Sequence, residues 1–465
     1  MSALVNDYGV DSLAKPDEDP EYKEPKTWDT EERDHTPRTP KDPKVYNTIA
    51  TLEEILRRDI PTHDDIYATY CQLPEPRVPY LSLPVIRDML HCLSVVERPD
   101  LLAMQRYLSI LDDMKDADIH ITASEWTSAI YFAGRSLGAV APDDLQSALY
   151  LWRDMEKRAS VKASHVTFSV LFDIAVRAGK YTLAELLLRE LNARGLHFYR
   201  HFRTALIYYH GVMQNGSGVR RVYAEMVSAG DIIDTVVMNG VIAALFRAGE
   251  PSAADHVFER MKRLDAAGSL SAPSFLHRGL TFTKPRDWRS RRKLGLALTR
   301  HGNRIKAEDA DAHAALQAWV PIAPNSHTYS LFIRHHATVS GNIDKVTDLL
   351  REMGYNGVPM EGGIFVAIFH GFARYGGVRY TSWTRAKLEQ TWGEYLLAVR
   401  EGLDRTWMGT TGVVAALRAF KKCADAERTL DVWEEARELW MPSAQEEEVV
   451  GRVLRTLVPG GGGGG

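Results

Sequence analysis

Apolar residues recur every three or four positions along most of the chain, and that pattern itself repeats with a period of 35. Leu188, Tyr223 and Phe258 stand 35 apart, as do Leu191, Met226 and Met261. Gly195 and Gly230 share the spacing, and Arg177-Ala178-Gly179 returns two periods later as Arg247-Ala248-Gly249. A period of this size marks a stacked-repeat architecture. Within one unit, His165 to Ala178 places Val166, Phe168, Leu171, Ile174 and Ala175 on one helical face. Gly179 supplies a stop, because glycine readily takes the left-handed conformation at a helix C-terminus. A second helix follows from Thr182 to Ala193, predicted to turn Leu183, Leu186, Leu187 and Leu191 inward, and ends before Gly195. One hairpin cannot bury its own apolar surface, so neighbouring hairpins must stack.

These units resemble pentatricopeptide repeats. Val166-Thr167-Phe168-Ser169 and Val236-Val237-Met238-Asn239 match the opening of that family's first helix. Leu188-Arg189-Glu190-Leu191, Tyr223-Ala224-Glu225-Met226 and Phe258-Glu259-Arg260-Met261 match the end of its second. The competing tetratricopeptide repeat has a period of 34, with Trp, Leu-Gly and Tyr early and Pro late, and that pattern is missing. The resemblance implies an all-α, right-handed superhelical solenoid of stacked 35-residue helix-turn-helix repeats, with about six to eight hairpins.

The expected layout runs as follows. Residues 1–44 are acidic and Pro-rich, expected to be disordered or draped over the surface. Residues 45–122 form an N-terminal helical cap with divergent repeats, and 123–264 carry the regular repeats, with Trp126 in the aromatic place of the first. Regularity fails over 265–325. Divergent repeats resume over 326–440, and 441–465 hold a capping helix and a glycine tail without fold information.

Net charge is −4, so no global basic field announces nucleic acid. The average hides local asymmetry. Residues 1–45 carry twelve acids against seven bases, whereas 278–306 carry ten Lys/Arg against one acid, Asp287, with Trp288 between Arg286 and Arg289. This second stretch reads as a basic arm, partly helical around 288–300. Its Arg286, Arg289, Arg291, Arg292 and Lys293 are candidates to clamp a phosphate backbone, or else a solvated or docking loop. Cys71, Cys92 and Cys423 are too scattered for a disulfide framework or a cysteine-rich zinc site. No apolar run reaches the roughly eighteen residues a spanning helix needs, so no membrane insertion is expected. The N-terminal stretch is acidic and poor in Arg, unlike a transit peptide.

Catalytic signatures are missing. The sequence has no Gly-rich phosphate loop, no His-Glu-x-x-His and no zinc-deaminase signature. His335-His336 points its two rings about 100° apart on a helix, which suits solvated or groove-lining roles better than a metal site. No cofactor, metal or enzymatic activity is expected. The family resemblance instead implies that a residue near the start of each first helix, acting with the residue that closes the repeat, reads one base of single-stranded RNA. Carried onto this chain, the first-helix positions are Thr127, Ser169, Thr204, Asn239, Ser330 and Val366. The closing positions are Ser164, Tyr199, Asp234 and Glu361. Thr204 with Asp234 fits the family's code and implies guanine; Asn239 suits a pyrimidine; Tyr199 and Val366 depart from the code. The expected role is binding organellar RNA in stability, processing or translation. The family association makes the mitochondrial matrix the expected compartment, although the chain then lacks a recognisable presequence. The alternative is a protein-binding scaffold on the mitochondrial ribosome, an RNA-processing assembly or an assembly complex.

Overall fold

The computed structural model describes residues 35–458, apart from 59, 98, 136–139, 267–288, 290, 291, 293, 300, 301, 303–309, 321 and 404. Among the described residues the chain is helical, without strands. The order is α1 (Pro43–Leu56), α2 (His63–Tyr70), α3 (Leu83–Ser94), α4 (Leu101–Asp116), α5 (Ala123–Arg135), α6 (Pro142–Arg153), α7 (His165–Arg177), α8 (Tyr181–Ala193), α9 (Arg200–Val212) and α10 (Gly216–Ser228). Then come α11 (Thr235–Arg247), α12 (Pro251–Ala266), α13 (Ala310–Trp319), α14 (Ser326–His335), α15 (Ile343–Tyr355), α16 (Gly362–Tyr375), α17 (Arg385–Arg400), α18 (Thr410–Cys423), α19 (Ala426–Leu439) and α20 (Ala444–Leu457). None of the described helices is long and apolar enough to cross a membrane.

From α5 onward the helices pair as hairpins, and the first helix of one hairpin packs on the first helix of the next: α5 on α7, α7 on α9, α14 on α16, α16 on α18. The result is the expected all-α stack of helix-turn-helix units. The chain gathers into two compact units, the first Met1–Val236 with Leu270–Val320, the second Val237–Ser269 with Pro321–Gly465. Each has its own buried interior.

The hairpin turns follow from their residues. α7 ends with the Lys180 amide on the Ala175 carbonyl (2.9 Å) and the Gly179 amide on Val176 (3.1 Å), with Gly179 at φ +70°. α11 ends the same way at Gly249, φ +78°. α9 makes the same turn without glycine: Gln214 holds φ +53°, while the glycines of Gln214-Asn215-Gly216-Ser217-Gly218 fall one turn later, inside α10. In α7 the first-helix interior is as expected, with Phe168, Leu171, Ile174 and Ala175 buried. In α8 the buried stripe is Ala184, Leu187 and Leu191. Leu186 is 55% exposed, a departure from the inward placement expected of it. It lies about 100° around the helix from Leu187, beyond the reach of the first helices.

Within 265–325, the described residues of 294–299 and 310–320 pack on the first unit. Gln317 bonds both the amide of Ile233 (2.7 Å) and its carbonyl (2.8 Å), and His313 reaches the Gly230 carbonyl at 2.7 Å. Leu298, Leu316, Trp319 and Val320 cluster with Ile232. In the second unit, α14 meets α11 directly although 86 to 89 residues separate the bonded partners Asn239, Asn325 and Thr328. The repeat series therefore continues from α12 to α14 with the insertion looped out.

Candidate nucleic-acid interface

The closing residues all stand immediately before a first helix: Ser164 before α7, Tyr199 before α9, Asp234 before α11 and Glu361 before α16. That is the capping position, where a side-chain oxygen is drawn to the helix's own unpaired amides. Ser164 caps the Thr167 amide at 3.3 Å. Asp234 accepts from the Val236 amide at 3.1 Å and is ion-paired with the buried Arg200 at 2.6 Å. Its carboxylate is thus already neutralised from the helix that carries Thr204, and the expected Thr204–Asp234 guanine pair lacks a free acceptor on that oxygen. Glu361 lies 3.7 Å from Arg405, and the Tyr199 ring sits 4.3 Å from that of His165.

The first-helix positions divide. Ser169, Thr204, Ser330 and Val366 are half-buried on the faces of α7, α9, α14 and α16. The Thr204 hydroxyl donates to the Arg200 carbonyl at 2.9 Å, which leaves its oxygen as an acceptor. Thr127 and Asn239, by contrast, are 0% and 2% exposed. Thr127 donates to the Ala123 carbonyl (2.7 Å) and meets the Thr167 hydroxyl at 2.8 Å. Asn239 accepts from the Thr328 hydroxyl (2.7 Å) and donates to Asn325 (3.2 Å). Both expected reading residues are enclosed between neighbouring hairpins, and nothing in their own side chains announced it. The signal lay in the next helix, in Thr167 and Thr328.

One helical turn beyond each reading position, on the same face, the two units differ. In the first unit these places hold Tyr131, Asp173 and Tyr208. Asp173 bridges Arg135 (2.6 Å) and Arg177 (2.7 Å), both in buried or nearly buried settings. Burial alone would raise the Asp173 pKa; Arg177 and Arg135 outweigh it and hold the carboxyl below its usual range. Arg135 lies over the Tyr131 ring and Arg177 over Tyr208. In the second unit the place after Asn239 holds buried Ala243, while those after Ser330 and Val366 hold exposed Arg334 and His370, with exposed Arg247, Arg374 and Arg418 also on α11, α16 and α18. Arg334, Arg374 and Arg418 have no acidic partner among the described residues. The cations feel one another. Water withdrawn by the enclosing wall, then the like charge of Arg247, lowers the Arg334 pKa. The same desolvation, then Arg418 and Arg334, lowers that of His370. Sequence reading overlooked this strip because the members on successive helices are 36 to 87 residues apart and each looks like an ordinary helical surface residue.

Of the basic arm, Arg286, Arg291 and Lys293 lie outside the described residues. Arg289 is half-buried, and Arg292 is only 6% exposed, a correction to its expected place on a solvent-facing clamp. Residues 294–299 are helical, with Leu298 in the Ile232 cluster and Thr299 at 3.5 Å from His201, in the first turn of α9. The described part of the arm is therefore packed on the first unit by its apolar side. Of the adjacent histidines, His335 ends α14 and stacks on Phe246 at 4.4 Å, His336 follows it and bonds Ser340 at 3.1 Å, and the two rings meet edge to face at 5.3 Å.

Stacked two-helix units define a helical-repeat protein. Residues 236–265 match the family model of the PPR repeat. Among solved structures the chain is similar to the pentatricopeptide repeat protein PPR10 from maize, at 18% identity over 88% of this chain and 51% of that one, TM-score 0.38. It is similar also to PPR10 in complex with an 18-nt psaJ RNA element, at 15% identity over 88% of this chain and 53% of that one, TM-score 0.41. This chain spans about half the length of those proteins. No curated protein matches it.

Proposed function

We propose that this protein binds single-stranded RNA along the first helices of its repeats and acts without catalysis, as a mitochondrial RNA stability, processing or translation factor. The observation that carries the reading is the exposed strip of Arg247, Arg334, His370, Arg374 and Arg418 on the second unit. It runs beside half-buried Ser330 and Val366, and Arg334, Arg374 and Arg418 have no acidic partner among the described residues, so a phosphodiester backbone would supply their countercharge. The PPR repeat matched at 236–265 supports the same ligand. By occupying a strand, the protein would shield it from nucleases or hold it unpaired for other machinery. Fluorescence anisotropy with a single-stranded RNA, its duplex form and a polyanionic peptide tests this. Preference for the single strand is expected. Arg334→Ala with Arg418→Ala should reduce the salt slope of log affinity by about 0.7 per lost phosphate contact. Equal binding of all three probes, or an unchanged slope, would remove RNA from the second unit.

A second reading has its own support. The first unit's inner cations are paired off by Asp173 and roofed by tyrosines, a surface better suited to protein than to phosphate. A protein scaffold on the mitochondrial ribosome or an assembly complex would use that unit. Crosslinking in the organelle separates the two: RNA crosslinks mapping to α14, α16 and α18 support RNA, and protein crosslinks confined to α5–α9 support the scaffold.

A further inference from the structure

Thr127 and Asn239 are enclosed by the same device. In each case the hairpin that follows opens with a capping box, a polar cap residue and a threonine three positions later bonding each other's amides. For α7 the pair is Ser164 and Thr167, with bonds of 3.1 and 3.3 Å. For α14 it is Asn325 and Thr328, at 3.0 Å in both directions. The threonine hydroxyl then has one hydrogen left, and it points back at the preceding hairpin. Thr127 has already given its own hydrogen to Ala123, so Thr167 donates to Thr127, whose hydroxyl has no hydrogen left to offer and is 0% exposed. Asn239 has its carbonyl oxygen taken by Thr328 and its amide nitrogen by Asn325.

The other junctions lack the device. The third residue of α9 is Phe202, that of α11 is Val237 and that of α16 is Ile364. None has a hydroxyl to send back, and the reading residues before them, Ser169, Thr204 and Ser330, stay half-buried rather than enclosed. Of the six reading positions, the two followed by a threonine at this place are enclosed, and the four followed by Phe202, Val237, Ile364 or Gly412 are half-buried.

We propose that Thr167 and Thr328 act as specificity-determining residues by locking Thr127 and Asn239 out of the reading row, so that base selection falls to Ser169, Thr204 and Ser330. This rests on the RNA-binding function above and adds which of its positions select. A base edge reaching Asn239 would have to part the two hairpins that enclose it, because the side chain is 2% exposed and bonded to Asn325 and Thr328. The selected sequence is therefore interrupted: tolerant nucleotides fall at the locked hairpins and selective ones at their neighbours.

The test is selection from a randomised single-stranded RNA pool, sequenced after enrichment on the full chain. Asn239→Ser should enrich the parent's motif unchanged. Ser330→Asn should change the preferred base at one position. Thr328→Val, which withdraws the lock, should add one selective position, whereas Thr328→Ser, which keeps a hydroxyl, should not. Thermal melting of each variant separates lost folding from altered selection. A changed base preference in Asn239→Ser overturns the lock while leaving RNA binding intact. Binding by the parent with no motif at all overturns the assignment of Ser169, Thr204 and Ser330. Absence of RNA binding by the folded parent overturns the function on which both stand.

Discussion

At the scale of single residues, Gln214 and His370 show how local chemistry is set by position. Gln214 occupies the left-handed place that Gly179 and Gly249 fill in sister hairpins, at φ +53°. A side chain is disfavoured there, so Gln214→Gly should raise stability by up to about 1 kcal/mol, part of the relief being returned as unfolded-state entropy. A denaturant titration reads this as a higher midpoint at unchanged slope. His370 stands among Arg334 and Arg418, with its pKa lowered by desolvation and then by those two charges. The folded chain thus takes up this proton later than the unfolded one. Stability is fully present above the ordinary histidine range, near 6.5, and falls as pH drops below it. His63, His210, His335 and His336, all lowered first by desolvation, add to the same loss. A phosphate on the strip would instead favour the imidazolium. RNA affinity should therefore rise between about pH 7.5 and 5.5, and His370→Gln should flatten that rise in anisotropy titrations at constant ionic strength.

At the scale of elements, the joints between first helices decide both stability and what the row exposes. Asp173 ties α5 to α7 through Arg135 and closes its own helix's Arg177. Replacing it by alanine leaves two guanidinium groups without their shared carboxylate in a largely buried place. The expected cost is about 3–5 kcal/mol, measured as a fall in Tm and in the denaturant midpoint. Asp173→Asn should cost less, because it keeps the hydrogen-bond acceptor. A further joint lies at Gly371 in α16, where an added Cβ would stand 2.8 Å from the Ala337 carbonyl and closer still to the Trp383 ring. Gly371→Ala should therefore destabilise the α14–α16 contact, visible as faster amide exchange in those two helices. Neither joint is marked by any local pattern. Asp173 reads as one more charged residue in a helix, and its two partners are recognised only once α5 and α7 lie side by side.

At the scale of the whole molecule, repeat arrays distribute stability among nearest neighbours, and this chain gathers its contacts into two units. A lesion in one should stay there. Asp173→Ala should raise hydrogen exchange in α5 and α7 while α14, α16 and α18 keep the parent's rates; a uniform rise would mean a single cooperative body. The sequence expected one continuous array with a break in regularity over 265–325. Asn239, Asn325 and Thr328 join across it, and Gln317 and Leu298 fasten the intervening stretch to the first unit.

What the sequence determined by itself was the element content. The 35-residue period, the apolar spacing within it and the glycine stops fix helices, turns and the need to stack, because those depend on neighbours within one or two turns. What only the tertiary structure decided was which of the expected reading positions face outward. Thr127 and Asn239 look as available as Ser169 or Thr204 until Thr167 and Thr328 arrive from the next hairpin. Likewise Arg334, His370 and Arg418 become a strip only when α14, α16 and α18 align. Hydrogen bonding and charge act through space over a few ångströms, and residues 40 to 89 positions apart come within that reach only after the hairpins stack.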